Sequence, residues 1–134
     1  VIAIGERGLA NLKNCEAIVL PDTVRYIGVG AFAIDNKLKY VYLGTSVETV
    51  EKGVFNSDSS LESVVFPEGT KSIGSLVFWG TRSIKSITIP ASVTEISNVF
   101  YFKDNSNPDV EIHTPKGSKA EEVANNIGLK VVND

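Results

Sequence analysis

The sequence predicts a strand-dominated α/β solenoid, a coil of 23-residue repeats closed at its C-terminal end by a helix and a strand. Three observations carry this. Apolar residues recur at a stride of 23: Ile18, Val41, Val64, Ile87 and Val110 form one column, and Leu20, Leu43, Phe66, Ile89 and Ile112 a second. Ile4, Ile27, Val50, Ile73 and Ile96 form a third, and Leu9, Phe32, Phe55, Phe78 and Tyr101 a fourth. Within a repeat, apolar and variable positions alternate, as in Val41-Tyr42-Leu43 and Ile87-Thr88-Ile89, which is the strand period. After residue 117 the period changes to that of a helix.

The single domain, 1–134, divides into a partial repeat 1–14, repeats 15–37, 38–60, 61–83 and 84–106, and a cap 107–134. Val1 shares the column of Val24, Val47 and Val93, so the chain begins in mid-repeat and reads as a piece of a longer protein. Cys15 opens the second unit in the column of Leu38, Leu61 and Ile84, and reads as a small buried hydrophobe. Proline follows the strand at Pro21, Pro67 and Pro90, ending it because the ring has no N–H to donate. Gly44 holds that place in the third unit. A second extended piece ends at Ile27, Val50, Ile73 and Ile96. Gly28 and Gly74 follow, read as turn residues with unusual backbone angles. Ala31-Phe32, Val54-Phe55, Val77-Phe78 and Phe100-Tyr101 read as one tight helical turn carrying an inward aromatic.

One such coil cannot stand alone, because ordering its backbone outweighs the few side chains it buries; stacking supplies the rest. The cap closes the stack. Ser118 and Glu121 fit a capping box, and Ala120, Val123, Ala124 and Ile127 form one helix face. Gly128 stops the helix, and Leu129 to Val132 reads as a strand covering the open edge.

The pattern L-x-x-I-x-I-P-x-x-V-x-x-I-G-x-x-A-F is clearest in Leu61 to Phe78 and Ile84 to Tyr101. It resembles the BspA-like (Treponema pallidum-type) leucine-rich repeat family, as does the ending Thr114-Pro115-Lys116-Gly117-Ser118-Lys119-Ala120. The resemblance implies a right-handed leucine-rich-repeat solenoid with a parallel, concave sheet. It also implies a secreted or cell-surface location in bacteria, adhesion and protein binding, and no catalytic residues. One departure stands out: where the family often has Cys, this chain has Asp35, Asp58, Thr81 and Asp104.

Charge and composition exclude several function classes. Net charge is −3 and no basic block exists, so no nucleic-acid partner is expected. No apolar run approaches 18 residues, so no membrane insertion is expected. The single cysteine excludes an internal disulfide. No nucleophile–base or phosphate-loop pattern exists, so the chain does not read as an enzyme. Stacked Asp35, Asp58 and Asp104 could offer carboxylates to calcium, but Thr81 interrupts them, and Asx-turns are the favoured reading. His113 sits in the proline column and reads as solvent-facing. No cofactor or metal is expected.

The variable strand positions should face the concave surface. They are Ala17 and Val19, Tyr40 and Tyr42, Ser63 and Val65, Ser86 and Thr88, and Asp109 and Glu111. This surface runs from apolar and aromatic, through hydroxylated, to acidic. The expected binding residues are Val19, Tyr40, Tyr42, Ser63, Val65, Ser86, Thr88, Asp109 and Glu111, with the tyrosines as anchor. The expected function is a non-enzymatic protein-binding or adhesion module, its partner a protein such as a host extracellular protein. A carbohydrate-binding module, with Tyr42 or Trp79 stacking on sugar rings, is the alternative, as is a structural spacer within a longer surface protein. An open N-terminal edge could also pair two copies.

Overall fold

A computed structural model describes residues 2–96, 98–100 and 109–134. The strands alternate between two sheets. One sheet holds β1 (Ile2–Ile4), β3 (Val24–Ile27), β5 (Thr49–Val50), β7 (Ser72–Ile73) and β9 (Glu95–Ile96), in that order. The other holds β2 (Ala17–Val19), β4 (Tyr40–Tyr42), β6 (Ser63–Val65), β8 (Ser86–Thr88), β10 (Glu111–His113) and β11 (Lys130–Val132), again in chain order. Every pairing is parallel. Each coil contributes one strand to each sheet, which is the predicted solenoid. The helix α1 (Lys119–Asn126) precedes β11.

The columns read from the sequence become the core. Leu20, Leu43, Phe66 and Ile89 are buried, as are Val64, Ile87 and Ile112. Phe32, Phe55 and Phe78 stack along the axis with centroids 5.6 and 5.9 Å apart, and Phe66 meets Phe78 edge-on at 6.1 Å. Such offset aromatic contacts add to simple burial. Phe100 is buried, while Tyr101, expected beside it, lies outside the described residues.

Four local expectations change. Gly28 and Gly74 do not take left-handed angles; they let neighbouring coils touch. A Cβ on Gly74 would stand 2.6 Å from the backbone of Glu51 and Lys52. Further on, left-handed residues form two columns: Arg7, Gly30, Gly53 and Leu76, then Asn11, Ile34, Ser57 and Gly80. These break the segments around Phe32, Phe55 and Phe78 into successive turns, so no helical turn forms there. Cys15 is half-buried rather than buried, its thiol directed at the Ala17 carbonyl at 3.2 Å. The reason is its place on the outermost coil of the six-stranded sheet, beside the edge strand β2.

The fourth change is one of register. Ile112 pairs with Ile87, so this coil is 25 residues long where the β2–β4 step is 23. Ile112 therefore continues the Ile87 column rather than that of Ile89, and Pro115 rather than His113 continues the proline column.

The cap forms with small departures. Ser118 Oγ accepts from Glu121 N–H at 3.1 Å, but the Glu121 carboxylate accepts from Gly117 N–H, one residue earlier than a capping box requires. Ala120 and Ala124 are buried, whereas Ile127 has left helical geometry and is exposed. Gly128 at φ 80° ends the helix. β11 then lies parallel against β10.

Candidate functional site

The site expected from sequence is the outward face of the six-stranded sheet. Short strands with period-two alternation put Ile18, Val41, Val64, Ile87 and Ile112 inward and their neighbours outward. The pairing register then sets the outward residues in two rows. Ala17 stands beside Tyr40, Tyr40 beside Ser63, Ser63 beside Ser86, and Ser86 beside Glu111. Val19 stands beside Tyr42, Val65 beside Thr88, and Thr88 beside His113. Adjacent strands are about 4.8 Å apart, so neighbours in a row are in reach of one another.

Val19, Tyr40, Tyr42 and Val65 are 73%, 54%, 51% and 59% exposed, high values for large apolar side chains placed together. Ser63, Ser86, Thr88 and Glu111 are half-buried beside them. Asp109 is not on this face. The two extra residues of the coil delay the strand, leaving Asp109 exposed in the preceding turn. His113 takes the outward place instead. Sequence reasoning missed it by holding the stride at 23; Pro115, two residues after the strand like Pro67 and Pro90, was the signal for the longer coil.

The acidic end is a connected network rather than isolated carboxylates. His113 Nδ1 lies 2.8 Å from Asp134 Oδ2, and its Nε2 lies 3.2 Å from Glu111 Oε1. Lys130, paired with Glu111 across the β10–β11 ladder, places Nζ 2.9 Å from Glu111 Oε2. The hydrogen bond to Asp134 raises the His113 pKa above its ordinary value, against a smaller effect of burial. The hydrogen bond from Lys130 holds Glu111 below the usual carboxylate range.

The aspartate column lies elsewhere, inside the coil corner. Asp35 and Asp58 are fully buried. Each accepts a backbone N–H from the preceding coil, Asp35 from Leu12 at 2.7 Å and Asp58 from Asp35 at 2.8 Å. These bonds run between coils, not within the local Asx-turns expected. Thr81 instead donates its hydroxyl to the Phe78 carbonyl at 2.6 Å. Asp104 lies outside the described residues, among which no group of three or more metal-ligating side chains gathers. Trp79, the other aromatic candidate, is half-buried in the turn after Phe78, off the strand rows.

Among the described residues no helix is long and apolar enough to cross a membrane. The BspA type leucine rich repeat region matches residues 1–107 in six copies. A leucine rich cell surface protein from Faecalibacterium prausnitzii has a similar structure, with 26% identity and a TM-score of 0.75 over 91% of this chain and 31% of that one. The T. pallidum leucine rich repeat protein is similar at 25% identity and a TM-score of 0.76, over 84% of this chain and 52% of that one. A leucine-rich repeat protein from Bacteroides ovatus shares the fold at 24% identity and a TM-score of 0.51, over 96% of this chain and 36% of that one. This chain thus spans about half or less of the length of these proteins. No curated protein matches it. The repeat columns, the paired parallel sheets and the match over residues 1–107 together place the chain in the BspA-type leucine-rich repeat family.

Proposed function

We propose that this chain is a protein-binding module of a bacterial surface or secreted protein, with its partner seated on the six-stranded sheet. One observation carries the reading. Val19, Tyr40, Tyr42 and Val65 form an exposed apolar cluster on adjacent strands, and clusters of this kind mark interaction sites. Tyrosine suits the role because it offers a rigid apolar ring and a polar tip. Val19 and Val65 extend the apolar contact, and Ser63, Ser86 and Thr88 supply hydrogen bonds, while Glu111 stays engaged with Lys130 and His113 at the end of the face. The surface location is supported by the Faecalibacterium protein, described as a cell surface protein.

The test is a pull-down with the immobilised chain against extracellular host proteins and mucin glycans, beside a Tyr40→Ala/Tyr42→Ala double variant. Both tyrosines are exposed, so the variant keeps the core. Capture of a protein by the wild type, lost in the folded double variant, is the expected result. A partner that binds both equally refutes the assignment to this face. Capture of glycans alone replaces it with carbohydrate binding. No capture by either leaves the repeats as a spacer.

A further inference from the structure

Beyond the ends of β6, β8 and β10 the surface opens into a cleft of about 290 Å³. Its walls come from the repeat itself. Pro67, Pro90 and Pro115 each stand two residues past a strand end, so register sets three rings along one side. Val65 contributes to the cleft while also belonging to the exposed apolar cluster, which makes the two surfaces continuous. The volume lies at the lower bound for small-molecule sites and suits one long side chain.

The ionisable lining is acidic. Glu68 is exposed and forms no ion pair among the described residues, and Asp134 stands at the same cleft with its side chain 70% exposed. Among the described residues no lysine or arginine lines the cleft. The basic group described there, His113, has both ring nitrogens committed to carboxylates, on Asp134 and Glu111. An anion entering here meets like charge. An apolar side chain strips water from Glu68 and Asp134 without replacing it. A lysine or arginine does neither: its methylene stem lies along apolar walls while its charged head stays at the rim.

We infer that the cleft beside Val65, walled by Pro67, Pro90 and Pro115 and rimmed by Glu68 and Asp134, receives a lysine or arginine side chain of the protein partner. This rests on the protein-binding reading of the sheet. It adds a chemical requirement: the partner carries a basic residue next to the segment that covers Tyr42 and Val65.

The experiment is an NMR titration of the whole ¹⁵N-labelled chain with four short glycine-flanked peptides, whose central residue is lysine, arginine, norleucine or glutamate. The lysine and arginine peptides are expected to shift the amides of Glu68, Thr88 and Thr114 saturably at millimolar concentration. The norleucine and glutamate peptides are expected to leave them unmoved. Glu68→Gln, an exposed change that leaves the core intact, is expected to weaken the lysine peptide about threefold, the size of one exposed ion pair. Equal shifts from norleucine, or none from any peptide, overturn the inference. The glycine-flanked peptides carry no segment to cover Tyr40 or Tyr42, so the titration reads the cleft alone. Failure of the cleft is thus read here, and failure of the sheet-face reading in the pull-down.

Discussion

The backbone N–H of Asp35 donates to the Oδ1 of Asp58, 23 residues further along the chain, at 2.8 Å. With the Leu12-to-Asp35 bond, this ties three successive coils together through one column of carboxyl groups. The bond satisfies a backbone donor but leaves Oδ2 of both aspartates buried and without a partner among the described residues. Burial pushes Asp58 up to about 9 and Asp35 up to about 6, with the backbone hydrogen bonds pulling the other way. A neutral Asp58 carboxyl is therefore the form the folded corner accepts.

A pH dependence follows. Between the ordinary aspartate value of 3.8 and about 9, the folded chain keeps a proton on Asp58 that the unfolded chain has released. Folded protein then binds more protons than unfolded, so stability falls as pH rises through that window. Asp58→Asn copies the neutral acid and keeps an oxygen for the Asp35 N–H. Thermal unfolding measured from about pH 5 to about pH 9 is expected to show a falling midpoint in the wild type and a flatter one in Asp58→Asn. Asp58→Ala removes the acceptor and is expected to cost about 1–3 kcal/mol in urea unfolding. Identical pH slopes for wild type and Asp58→Asn would contradict a buried neutral Asp58.

The His113 network gives a second prediction. Both nitrogens face carboxylate oxygens, so the imidazolium donates two hydrogen bonds where the neutral ring donates one. The folded pKa is raised, and the added stability of the β10–β11 edge is present at low pH and lost as pH rises through that raised value. An NMR titration of the ring is expected to give a midpoint above the ordinary 6.5, returning toward it in Asp134→Asn. A wild-type midpoint at or below 6.5 rules the network out.

Ile34 occupies the left-handed region at φ 61° and is 42% exposed. Its column mates are Asn11, Ser57 and Gly80, residues that tolerate this region better. A β-branched side chain there is strained by about 1–2 kcal/mol. Ile34→Asn relieves that strain at the loss of a partly exposed side chain. It is expected to raise stability by about 0.5–1 kcal/mol, read as a higher urea midpoint with an unchanged slope.

The aspartate corner also shows where sequence reasoning stops. The fixed stride made the coil, its inward columns and the cap legible, because burial on one side of a short strand leaves a two-residue period that survives in composition. The exposed face carrying Val19, Tyr40 and Tyr42 was legible for the same reason. What the stride could not show was a change in the stride itself: two residues added before β10 exchanged Asp109 for His113 on that face. Nor could it show partners one coil away. Asp58 reads as a turn residue from its neighbours in sequence, whereas its hydrogen bond is to a residue 23 positions earlier. The cleft was illegible because Asp134 reaches it from the far end of the chain.

Contacts one coil away also decide the last prediction. Gly5 and Gly74 share one column, and neither takes a left-handed angle. Their surroundings differ. Among the described residues nothing lies within 4 Å of a Cβ built on Gly5, whereas one built on Gly74 meets the Glu51 carbonyl carbon and the Lys52 nitrogen at 2.6 Å. Both contacts are backbone, so no rotamer change relieves them and the coils must part. Parting weakens the β5–β7 ladder and the adjacent Gly74 N–H bond to the Val50 carbonyl, now 2.7 Å. Gly74→Ala is therefore expected to destabilise by about 1–3 kcal/mol, as overpacking does. Gly5→Ala is expected to be neutral or to stabilise by up to about 1 kcal/mol, because it restricts only the unfolded chain. Urea unfolding of the two variants side by side checks the difference. Equal midpoints would mean that close coil contact is not what glycine serves at position 74.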